Sequence, residues 1–93
     1  MDEAFVIENP DIEGDERFFR PGHKGHSYYP AVHGWWPLWK AKIYSAGKAR
    51  EKCIELRGGE APRCFVRRIR LVLGAGYYPP SKKREIIGEM LMG

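Results

Sequence analysis

A chain of 93 residues with 43% hydrophobic content and no apolar run near 18 residues has room for one small domain and none for a membrane-crossing helix. Its formal charge of +4 hides a strong asymmetry: seven acids lie between Asp2 and Glu16, ahead of the first base, Arg17, and all 16 Lys and Arg follow with only five acids. A body that basic attracts polyanions, and carboxylates massed in one arm have nothing to desolvate them for acid–base work, so no enzyme is expected.

Residues Met1 to Glu16 read as an acidic arm with one anchoring patch, Ala4-Phe5-Val6-Ile7, closed by Asn9-Pro10. From Arg17 to Trp36 the chain is dense in Gly, Pro, His and aromatic residues and has no period of 2 or 3.6. That composition is too aromatic for plain disorder and too broken for a regular element. Residues 1–36 are therefore expected to form an extended strap whose rings, Phe18, Phe19, Tyr28, Tyr29, Trp35 and Trp36, bury themselves against the body or a partner protein. The acidic N-terminus lacks the basic and apolar regions of a secretory leader, so an intracellular setting is expected: cytoplasm, virion, or an organelle entered without a presequence.

Residues 37–93 read as a small basic helical domain. Pro37 suits a first helical position and Gly58 the residue past an end, which predicts a helix from Pro37 to Arg57. Leu38, Trp39, Ile43, Ala46, Ala49, Cys53, Ile54 and Leu56 fall on one arc of that helix. The competing reading makes Trp39 to Tyr44 a strand and Ser45 the cap of a shorter helix. After Gly58-Gly59 a second helix is expected from Pro62 to Leu73, because a helical projection separates Phe65, Val66, Ile69, Val72 and Leu73 from Arg63, Arg67 and Arg70, whereas strict alternation leaves neither face clean. Ser81 is expected to cap a third helix, Lys82 to Met92. The fold class is thus mainly α, a helical hairpin plus a C-terminal helix, with α+β as the alternative.

Two basic clusters stand out. Arg63, Arg67 and Arg70 form a stripe suited to phosphates or acidic side chains, since arginine grips such groups in a planar fork. Ser81, Lys82, Lys83 and Arg84 place cations where a helix N-terminus prefers an anion, and so form a second candidate polyanion site. Cys53 and Cys64 flank the expected hairpin closely enough to be a candidate disulfide. With His23, His26 and His33 they offer metal-ligand types without a CxxC or a shared element, and neither metal nor cofactor is expected. The function expected is that of a non-enzymatic subunit or accessory protein of a larger assembly, held to other protein subunits by its aromatic strap and basic helix faces. The alternative is a nucleic-acid-binding protein, ribosomal or viral, whose Arg and Lys clusters contact the phosphates of RNA or DNA.

Overall fold

A computed structural model describes residues 4–21, 34–73 and 82–92. Five strands form one antiparallel sheet: β1 (Ala4–Glu8), β2 (Phe18–Phe19), β3 (Trp35–Trp36), β4 (Phe65–Leu73) and β5 (Lys82–Met92), in the order β3-β2-β1-β4-β5. Among the described residues a single α-helix, α1 (Ala46–Arg57), packs on one face, and a 3-10 turn, Leu38–Lys40, lies on the other. The mainly α expectation is therefore corrected to a mostly antiparallel sheet with one helix. Among the described residues no helix is long and apolar enough to cross a membrane.

The short patch Ala4-Phe5-Val6-Ile7 is the centre of the molecule. All five residues of β1 are buried, because both of its faces are covered. Phe5 and Ile7 join Phe19 and Val66 beneath Ala49, Cys53 and Leu56 of α1. Ala4 and Val6 join Phe18 and Ile69 beneath Leu38, Ala41 and Ile43 on the opposite side. A strand buried on both faces reads as a continuous apolar run, here only four residues long. The sheet thus draws strands from both sides of residue 37.

Each expected helix resolves differently. The first begins at Ser45, whose hydroxyl accepts from the Lys48 amide at 3.4 Å, an N-cap interaction. Pro37 opens the 3-10 turn instead, and Tyr44 pairs with Phe5, exchanging backbone hydrogen bonds of 3.1 and 2.8 Å. The second expected helix is β4. Its register with β1 runs Ala4↔Ile69 to Glu8↔Phe65, which puts Phe65, Arg67 and Ile69 on one face and Val66 and Arg68 on the helix-covered face. The alternation looked unclean because Arg67 occupies a covered face, where Glu8 neutralises it. The β-branched content of this stretch suits the pleated sheet, and pairing on both sides overrides the helical projection. The third expected helix is β5, paired along β4 from Val66↔Met92 to Leu73↔Lys82 with irregularities between Val66 and Ile69. Lys82, Lys83 and Arg84 therefore begin a strand, and the helix-dipole argument for an anion there falls away.

Candidate anion-binding edge

The expected arginine stripe is already occupied by carboxylates. Arg63 Nη1 lies 3.2 Å from Asp11 and Arg70 Nε 2.9 Å from Glu85, both pairs on the surface. Arg67 Nε donates to Glu8 Oε1 at 2.8 Å, and the other oxygen of Glu8 lies 3.3 Å from Arg17 Nε. Glu8 is only 5% exposed, so this Arg17–Glu8–Arg67 cluster is a buried carboxylate between two half-buried cations. The acids of the N-terminal arm supply part of this neutralisation, which is why the charge asymmetry along the sequence does not survive folding as two separate regions. Across strands, Arg70 pairs with Glu85 by register as well as by contact.

The second cluster is divided by the strand. Register places Lys83 opposite Val72 and Arg84 opposite Leu71, so the two cations face opposite sides of the sheet. Lys83 is exposed. Arg84 reaches over the second face to the 3-10 turn, where its Nη1 donates to the carbonyls of Leu38 at 2.7 Å and Ala41 at 2.8 Å. Ser81, Tyr28, Tyr29 and the three histidines lie outside the described residues, as does the side chain of Lys82.

The remaining ring residues help build the sheet's far edge. Phe18 and Phe19 are buried on opposite faces, and Phe19 meets Trp35 edge-on with centroids 5.5 Å apart. Trp36, opposite Phe18, shares the second face with the 3-10 turn. Lys40 sets its ammonium 5.0 Å from the Trp36 ring and 4.9 Å from the Trp39 ring, a double cation–π contact. Trp39 itself is 67% exposed.

Around this turn three cations gather, and among the described residues none is paired with an acid. Arg20 Nη1 donates to the Lys40 carbonyl at 3.2 Å, next to the two carbonyls that hold Arg84. Arg84 is held below the usual arginine range, first by burial and then by the like charge of Arg20. It stays protonated, as arginine does in proteins. Among the described residues, Arg20, Lys40 and Arg84 form no ion pair with a carboxylate, in contrast to Arg17, Arg63, Arg67 and Arg70. Backbone carbonyls fix the two guanidinium groups, and among the described residues no carboxylate compensates their charge. Arg84 is the one member that the sequence had marked. Arg20 was hidden in the strap and Trp39 was assigned to a helix arc; the usable signal was Pro37 opening a turn that puts Trp36, Trp39 and Lys40 within one tight loop.

Cys53 and Cys64 are two thiols in contact, fully buried, with Sγ atoms 3.6 Å apart. Each sulfur also approaches the other residue's carbonyl, and Arg57 Nε caps the Cys64 carbonyl at 2.7 Å. Burial, helped by the hydrogen bond with Cys53, pushes the Cys64 thiol up to about 12. Tyr44 is likewise raised to about 12, by burial and then by Glu55. Both groups are neutral when folded and ionise at lower pH when unfolded, so above the unfolded values the native state binds more protons and stability falls as pH rises. Denaturant midpoints should decline from about pH 9 towards pH 12, and Cys64→Ala should make the decline shallower; an unchanged slope would contradict the assignment.

Compared with family models, curated proteins and solved structures, the chain finds no match in any of the three.

Proposed function

We propose that this chain is a small non-enzymatic subunit of a larger assembly and that it docks an anionic partner on the edge formed by Arg20, Lys40 and Arg84. The observation that carries this reading is the contrast in charge. Arg17, Arg63, Arg67 and Arg70 each meet a carboxylate of this chain, whereas among the described residues the three cations around the 3-10 turn meet only carbonyl oxygens and indole rings. Like charges held together without a counter-ion raise the free energy of the isolated fold, and an incoming anion lowers it. Arginine suits the role, since its weakly hydrated planar group can serve a carbonyl and a bidentate anion at once.

A role in binding also agrees with where the described acids are spent. Glu8, Asp11, Glu51, Glu55 and Glu85 are each engaged with a base elsewhere, and the other described acids, Glu13, Asp15, Glu16 and Glu60, pair with none of the turn's cations. The groove between α1 and residues 42–45, about 470 Å³, is broad and open and mixes Lys42, Lys48 and Lys52 with Glu51 and Glu55. Two of its three lysines, Lys48 and Lys52, are paired with Glu51 and Glu55, unlike the cations at the turn.

The test is direct titration with a soluble polyanion at low ionic strength. Saturable binding that weakens steeply as salt rises is expected. Failure to bind any polyanion at low salt would remove the reading.

A further inference from the structure

Building on that docking edge, we propose that the partner is a single-stranded nucleic acid: a base stacks on the outer face of Trp39 while neighbouring phosphates are held by Arg20, Lys40 and Arg84. An acidic peptide would satisfy the cations but gives no reason for the exposed ring beside Lys40. Trp39 keeps 67% of its surface in solvent, and the Lys40 ammonium takes one side of its indole at 4.9 Å. With two thirds of the residue in solvent, the ring has surface left for a planar partner.

The pieces lie close together by construction. Lys40 contributes its ammonium to the rings and its carbonyl to Arg20. Arg84 spans the carbonyls on either side, those of Leu38 and Ala41. The Lys42 amide bonds to the Phe19 carbonyl at 2.9 Å, which fixes the turn against β2. A rigid turn therefore presents one aromatic platform and three cations in a single patch. That combination of stacking face and phosphate-binding charge is how strands with unpaired bases are gripped without base-edge readout. A duplex hides its base faces in the stack and offers such a protruding ring nothing to cover.

Fluorescence anisotropy with three labelled probes tests the proposal: a short oligothymidylate, an abasic phosphodiester strand of equal length, and polyglutamate. The intact chain should bind the base-bearing strand at least about fivefold more tightly than the abasic one, the lower bound for one stacked base. Trp39→Ala should bring the two strands to parity while leaving abasic binding unchanged. Arg20→Gln should weaken both equally and reduce the slope of log affinity against log salt by about 0.7, one phosphate's share for a single strand. Both substituted side chains are exposed, and circular dichroism melts confirm that the variants fold. Equal affinity for the two strands, or a base preference that survives Trp39→Ala, overturns the nucleic-acid assignment; if polyglutamate then binds as well as either strand, the docking reading stands with a protein partner. No binding to any of the three removes both.

Discussion

Ile69→Ala is expected to destabilise the chain by about 2–5 kcal/mol, the range for truncating a fully buried branched side chain. Ile69 has no exposed surface and packs with Ala4, Val6, Phe18 and Ala41 on the face of the sheet opposite α1. Val66 is equally buried but on the α1 side, so Val66→Ala should also be costly, by a smaller amount because fewer atoms are removed. The informative contrast is Ile54→Ala. Ile54 belongs to the apolar arc of the expected hairpin, yet it is 62% exposed on α1, and its truncation should change stability by no more than about 0.5 kcal/mol. Urea denaturation of the three variants separates the two architectures: a helical hairpin predicts that all three are damaging, and the two-faced sheet predicts that only the β4 positions are.

The second large effect is at Glu8. Glu8→Gln should cost about 2–3 kcal/mol, because it leaves Arg17 and Arg67 facing each other across a buried position with no anion between them. The value lies below that of a wholly buried pair since the Arg17 and Arg67 side chains retain 32% and 25% of their exposure. Glu8 also fixes the end of β1, where the strand meets both β2 at Phe18 and β4 at Phe65. The exposed pair Arg70–Glu85 gives the comparison: Arg70→Gln should cost less than about 1 kcal/mol, the usual worth of a solvent-screened pair. Equal effects at the two positions would contradict the burial of Glu8.

The difference between Glu8 and Arg70 also explains what could be read from the residues alone. Local signals were legible: Ser45 as a cap, Gly58 as a stop, Asn9-Pro10 as a break and Ala4-Phe5-Val6-Ile7 as a buried patch all act within a few residues of themselves. The strands β4 and β5 were not, because what makes Phe65–Leu73 extended is pairing with Ala4–Glu8, some 60 residues away, as the contact of Arg67 with Glu8 shows. A helical projection scores a neighbour three or four places along the chain. It cannot register that an arginine on a covered face has its carboxylate on another strand. The carboxylates that meet the arginine stripe were hidden for the same reason: Arg63, Arg67 and Arg70 look free in the sequence, and folding brings Asp11, Glu8 and Glu85 to them. Conversely, Arg20 and Arg84 are 64 positions apart, and their meeting over consecutive carbonyls of one turn is visible only in three dimensions. Aromatic residues that seemed to wait for a partner, Phe18 and Phe19 above all, are spent in the two cores. Among the described rings, Trp39, expected on the apolar arc of a helix, is the exposed one.

Two double charge reversals measure where anions dock. One reverses Arg20 and Lys40 to glutamate at the turn; the other reverses Arg63 and Arg70, which already face Asp11 and Glu85. Both remove the same charge from the chain, so non-specific attraction changes equally. With an oligothymidylate probe at low salt, Arg20→Glu/Lys40→Glu is expected to abolish binding, while Arg63→Glu/Arg70→Glu retains it with a salt slope close to that of the intact chain. Equal losses from the two reversals, or a greater loss from the β4 pair, would contradict the assignment of the docking edge.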